Sequence, residues 1–315
     1  MGPFLLRRAL LSLPTLLLVS VAVFSMLHAS PGDPAELLLG PFASQEQIAR
    51  ISSELGLDQP VVIQFARWFS HVVQGDLGRS YSLRLPVLQE VTRKYRATLM
   101  LATAAVVMSS LIGISAGVIA AVFRGTFLDS LVMVLALVGL SVPVFWLGMI
   151  LIVVFSVRAQ LFPVGGMVTP GAGGPLDYLH HLVLPALALG TANAGYLARF
   201  VRSSLIEVLG EDYVRTAVAK GIARRAVVLK HALRNVMVRV VTVQGIQFGY
   251  LLGGAVLTET VFSWPGIGSL MLQAILSRDF PLVQGAVLIV AVSFIVVNVL
   301  VDLAYSLIDP RVRYG

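Results

Sequence analysis

The 315-residue chain contains no cysteine, which excludes a disulfide framework, a thiolate nucleophile and any cysteine-based zinc site. Charge is scarce too: Asp, Glu, Lys and Arg make up 12% of residues against 57% hydrophobic, and mean hydropathy is +0.88. A soluble domain carries about twice that share of charge, so the composition is that of an integral membrane protein. Phosphate-cradling chemistry is also missing. Neither a G-x-x-x-x-G-K-[ST] pattern nor even a Gly-Lys pair occurs, so the chain has no P-loop with which to bind ATP by itself. The five histidines show no H-E-x-x-H or similar spacing, and adjacent His180 and His181 would point about 100° apart on a helix. With no metal site and no nucleophile-and-base constellation expected, the chain is not read as an enzyme.

What the sequence does have is long apolar runs. Crossing about 30 Å of hydrocarbon takes about 20 residues, and six stretches qualify, at 9–28, 98–122, 128–156, 182–201, 240–258 and 283–306. The third holds Pro143 and is read as one tilted, proline-kinked span, because two crossings would move every later loop to the opposite side. Arg7 and Arg8 precede the first run, but its length and the lack of a small-residue cleavage site make it a permanent anchor rather than a signal peptide. The expected architecture is all-α, with six transmembrane helices and both termini cytoplasmic. Residues 1–97 form the first span plus an external helical segment, 98–307 the main transmembrane domain, and 308–315 a tail. In the external segment, helical spacing runs from Gln45 to Leu55, and Val62, Phe65, Trp68, Phe69 and Val72 lie along an amphipathic helix ended by Gly75 and Gly78.

Positive charge concentrates in one interruption. The net charge is +7, and nine cations fall between Arg199 and Arg239 against the acids Glu207, Glu211 and Asp212. Such a loop marks the cytoplasmic side and suits anionic lipid better than nucleic acid. Locally it reads as two short helices around a glycine: Glu211 and Asp212 favour a helix start, Lys220 a helix end, and Gly221 a left-handed closing residue. Ala217, Ala219 and Gly221 carry little side chain, so another backbone could approach closely.

The run Arg215, Thr216, Ala217, Ala219, Lys220, Gly221 followed by H-A-L-R-N resembles the EAA coupling loop of bacterial ABC-transporter permeases, in the form found in the dipeptide/oligopeptide (peptide/nickel) importer family. The similarity extends to PGDPA, LGLDQP and GDLGRSY before the second span, to TETVFSWPGIGSL and SRDFPLVQG after the fifth, and to the tail VDLAYSLIDPRVR. One departure is Arg239, which stands where the family usually has proline. The resemblance implies a type I ABC importer permease fold in the bacterial inner membrane, with the loop 203–239 docking an ATPase. It also implies a second homologous permease, two cytoplasmic ATP-binding subunits that hold ATP-Mg, and an external substrate-binding protein. Di- or oligopeptides are the implied substrate, with nickel, a metal chelate or glutathione as alternatives.

Within the spans, Gly245, Gly249 and Gly253 recur every fourth residue, a stripe suited to close helix packing. Gln244, Gln247, Asn193 and Asn298 are polar residues at membrane depth, where each could line a pathway or hydrogen-bond a neighbouring helix. Phe262, Trp264 and Phe280 could form an aromatic interface belt. A secondary transporter acting alone would need ionisable residues deep in the spans, and an intramembrane enzyme a catalytic pair; neither pattern is present.

Overall fold

The computed structural model describes residues 2–29, 44–56, 58–171 and 173–308. The motif PGDPA and the C-terminal arginines Arg311 and Arg313 lie outside them. Every regular element among the described residues is a helix, and a single isolated β-bridge pairs Arg79 with Pro86. In chain order the helices are α1 (Gly2–Ala29), α2 (Gln45–Leu55), α3 (Val61–Val73), α4 (Val87–Val122), α5 (Phe127–Ser141), α6 (Val144–Leu151), α7 (Pro175–Leu209), α8 (Asp212–Ala219), α9 (Leu233–Gly254), α10 (Val256–Val261), α11 (Ile267–Leu276) and α12 (Phe280–Ile308). Each expected span falls inside a helix or helix pair. By length and composition, three described helices could cross a membrane: α4, the continuous helix Arg224–Gly253, and α12 over Phe280–Val301.

A fourth crossing depends on α5 with α6, which meet at a bend of 103°. The bend expected at Pro143 within the run 128–156 is thus far sharper than a tilted, kinked span requires, and the pair counts as one crossing only when taken together as a broken span. Pro143 has no N–H to donate, and the residue before a proline is pushed from helical to extended backbone; Val142 has φ −75° and ψ 125°. Beyond α6 the chain widens into a π-helical segment, Ile152–Arg158.

The chain forms two compact units, one of residues 1–96 and 269–295, the other of residues 97–268 and 296–315. In the first, α2 starts at a capping box in which Ser44 and Gln47 bond reciprocally. Helix α3 packs on α1 through aromatic rings, Phe24 lying 5.3 Å from Phe65 and 5.5 Å from Trp68. Val62, expected on the same apolar face, is exposed. Gly75 and Gly78 both have left-handed φ; Gly75 follows the cap Gln74 where α3 ends, as expected, whereas Gly78 lies in the turn beyond it.

Asp279 is the polar anchor of this unit. Its Oδ2 accepts hydrogen bonds from Ser80 Oγ (2.5 Å), Ser82 Oγ (2.7 Å) and Ser82 N–H (2.9 Å), and its Oδ1 accepts from Leu282 N–H at 3.3 Å. Burial pushes the carboxyl pKa up, but the bonds from Ser80, Ser82 and the backbone outweigh it and hold it below the usual value. One fully buried carboxylate therefore pins the turn GRSYSLR.

In the second unit α7 is the central element, presenting buried residues from His181 to Val208. Its C-terminal half packs through Leu197, Val201, Leu205 and Val208 against Ala121 of α4 and against Val228, Ala232, Val236 and Val240 leading into and along α9. Its N-terminal half packs Leu182, Ala186 and Leu189 with Ala97, Leu101 and Ala105 of α4 and with Trp264. Phe262 and Trp264 are thus core residues, Trp264 being 1% exposed with Nε1–H donating to Ala97 O at 2.9 Å; only Phe280 remains partly exposed. Glu259 is fully buried and accepts from Thr98 Oγ1 at 2.5 Å.

Asp279→Ala removes the acceptor shared by the buried Ser80 hydroxyl and by the hydroxyl and N–H of exposed Ser82, and hydrogen bonds to a charged group contribute about 1.5–3 kcal/mol each. Hydrogen exchange at the Ser82 amide should accelerate on the order of 100-fold. Because the folded carboxyl has the depressed pKa, the wild-type anchor is at full strength above about pH 4 and is lost as pH falls through the folded value. Unchanged exchange at Ser82 in the variant would show that the turn is held by something else.

Candidate functional site

The loop around Gly221 follows its local signals closely. Helix α8 begins after Glu211, which has extended backbone, and carries Asp212 in its first turn. It ends in a Schellman arrangement: Gly221 has φ +77°, its N–H donates to Val218 O at 2.9 Å, and Ile222 N–H reaches back to Ala217 O at 3.3 Å. The second short helix is not separate. The turn Arg224–Ala226 and a π-helical segment, Val227–Ala232, run directly into α9. A π-helical turn widens the helix and commonly marks a functional position.

Helix α8 has two unlike faces. Val214 and Ala217 pack inward with Val227, flanked by Leu209 and Ile222. Arg215, Thr216, Ala219, Lys220 and Gly221 are exposed. Ala217, grouped with them from its small size, is buried and supports the helix instead of facing outward. A Cβ placed on Gly221 would meet nothing within 4 Å, so the chain itself leaves the space beside this glycine open.

Three polar ties surround the loop. Asn235 Nδ2 of α9 donates to Tyr213 Oη of α8 at 2.6 Å, and Arg239 Nη1 of α9 donates to Glu207 Oε2 in the last turn of α7 at 3.2 Å. Near the start of α5, Arg202 of α7 grips Asp129 with both Nε and Nη2, at 2.6 and 2.7 Å. None of these pairs is visible as a sequence motif, since partners 22 to 73 residues apart have no fixed spacing.

Deeper in the same unit lies a buried polar cluster. Asn193 Nδ2 donates to Gln244 Oε1 and to Ser109 Oγ, both at 2.9 Å, and Gln244 Nε2 donates to Ser110 Oγ at 2.6 Å. Asn193 and Gln244 are 7% and 8% exposed, so of their two open roles the structure shows the bonded, helix-bridging one, joining α4, α7 and α9. Gln247 and Asn298 are partly exposed and stand outside this cluster.

The glycines divide as well. A Cβ on Gly245 would lie 2.0 Å from Val301 Cγ2, so α9 and α12 meet there closely, while Gly249 is buried and Gly253 exposed. Close backbone contacts also occur at glycines outside this stripe. A Cβ on Gly113 or Gly117 of α4 would come within 2.8 or 2.7 Å of Ala194 O or Ala198 O of α7, and one on Gly195 within 2.4 Å of Ala136 O of α5. The spacing G-x-x-x-G at 113–117 is the signal that could have revealed the first pair.

Asn193→Ala removes the donor to both Gln244 and Ser109, and interhelical hydrogen bonds in membranes contribute about 0.6 kcal/mol on average, up to about 1.7. Thermal denaturation of the detergent-solubilised protein should occur at lower temperature in Asn193→Ala and Gln244→Ala, and be unchanged in Gln247→Ala. Equal destabilisation by all three would contradict the bridging role.

Comparison with known proteins places this geometry. Residues 113–314 match the family described as binding-protein-dependent transport system inner membrane component, and residues 1–102 match its N-terminal component. The glutathione transport system permease protein GsiC of Salmonella paratyphi A is 46% identical over 311 residues, covering 99% of both chains, and GsiC of Escherichia coli K12 is 45% identical over the same length. Two inward-facing structures of the MetNI methionine ABC transporter superimpose on 70% of this chain and 97% of theirs, at TM-scores of 0.55 and 0.57 with 18% and 19% identity. That likeness concerns the fold. The chain is a member of the binding-protein-dependent transport system inner membrane component family, a permease subunit of an ABC importer.

Proposed function

We propose that this permease carries short peptides across the inner membrane by alternating access, with glutathione the first candidate among them. The observation that carries this reading is the 46% identity over 99% of both chains to a glutathione transport permease. Glutathione is itself a peptide, so the dipeptide and glutathione readings differ in length and linkage and not in chemical class. The working assembly pairs this chain with a second homologous permease, two cytoplasmic ATP-binding subunits that hold ATP-Mg, and an external substrate-binding protein. Six crossings with both termini cytoplasmic put the loop 203–239 on the ATPase side. Its exposed residues Arg215, Thr216, Ala219, Lys220 and Gly221 supply the docking face, while Ala217 braces it from within. Gln247 and Asn298 face the substrate path.

Uptake of labelled glutathione, dipeptide and Ni²⁺ by the assembled complex in proteoliposomes tests the substrate. ATP-dependent uptake of glutathione or dipeptide that requires the binding protein supports the proposal, and uptake of Ni²⁺ alone overturns it.

Gly221 tests the docking face. Side chains at φ +77° cost about 1–2 kcal/mol, β-branched ones most. Gly221→Val should abolish transport while the permease still inserts at normal abundance. Gly221→Asn, which tolerates left-handed backbone, isolates the added bulk. Because this chain leaves the position open, Asn should also impair ATPase binding. Normal substrate-stimulated hydrolysis in both variants would contradict docking at this glycine.

A further inference from the structure

We propose that Tyr213–Asn235 and Glu207–Arg239 form a two-point latch that makes the coupling helix move as one body with α7 and α9. The inference rests on the docking role of α8 proposed above. Helix α8 has only eight residues, too short to hold its shape without support. Its apolar underside, Val214 and Ala217 against Val227, is non-directional contact that resists separation better than sliding. The directional contacts come from the latch. Asn235 holds the Tyr213 hydroxyl at 2.6 Å, fixing α8 against α9, and the ion pair Glu207 to Arg239 at 3.2 Å fixes the last turn of α7 against the same helix.

The two α9 residues are spaced i, i+4 and so lie on one face, one turn apart. Five residues beyond Arg239, the same helix carries Gln244, which bonds Asn193 of α7 and Ser110 of α4. Displacement of α8 by an ATPase therefore reaches the buried polar cluster along a single continuous helix. Arg239 stands at the position usually occupied by proline in the resembling permeases. Proline there would remove a helical N–H and kink α9; with arginine, the helix runs unbroken from Leu233 to Gly254 and gains a charged hold on Glu207.

Tyr213, Asn235, Glu207 and Arg239 are positioning residues, and the test measures substrate transported per ATP hydrolysed in the assembled complex. Tyr213→Phe and Asn235→Leu should each lower that ratio roughly two- to fivefold, with basal hydrolysis and ATPase co-purification retained. Asn235→Asp, which has no amide donor but can instead accept a hydrogen bond from the Tyr213 hydroxyl, should restore it. Glu207→Arg and Arg239→Glu should each lower the ratio, and the double exchange should recover it. Wild-type ratios in all single variants overturn the latch, and so does loss of ATPase binding in Tyr213→Phe, since these residues would then be docking contacts. If Gly221→Val uncouples while the latch variants are normal, only the latch falls. If Gly221→Val also has no effect, the docking reading falls first.

Discussion

Helices in hydrocarbon gain little from hiding apolar side chains, because lipid is as apolar as leucine; they associate where backbones come close enough for dense contact and where polar groups find each other. The second unit satisfies that constraint at the same place in two ways. Gly113 and Gly117 let α4 approach the carbonyls of α7 so closely that no Cβ would fit, and Ser109 and Ser110, about one turn before them, meet Asn193 and Gln244. The close approach brings short polar side chains into bonding range, and the bonds fix the register that makes close approach possible.

The loop around Gly221 obeys the rules of water-exposed structure instead. Acidic residues open its short helix, a left-handed glycine closes it, and a small apolar underside seats it. These local devices place a two-turn helix with one face free, and long-range pairs from Tyr213 and Glu207 to α9 connect it to the membrane-embedded part. A loop that set only topology would need its cations but neither the cap nor the underside.

Much of this was legible from the chain alone, for identifiable reasons. Capping chemistry is local, so the end of α8 at Gly221 and the helix Gln45–Leu55 appear where expected. Apolar run length located the helices and Pro143 marked where the third would kink, but the 103° size of the bend was not legible, because hydropathy does not register a missing N–H. Residue size suggested that Ala217 faces outward, whereas the 3.6-residue period shared with Val214 turns it inward. Residue type suits Phe262 and Trp264 to an interface belt; the burial of Trp264, like that of Glu259, depends on Ala97, Thr98 and other partners more than 100 residues away. The pairing of Asn193 with Gln244 was one of two stated roles, and only three-dimensional proximity decides between them.

The central claim is that α8 offers its exposed face, and not its apolar underside, to an ATPase. The absence of cysteine allows a direct measurement, because an introduced thiol is the only one in this chain and can be labelled on the purified permease before the complex is assembled. A photoactivatable maleimide attached to Ala219→Cys in the assembled complex should cross-link to an ATP-binding subunit, and the same reagent on Ala217→Cys should not. Equal cross-linking from both positions, or none from Ala219→Cys, would contradict the account.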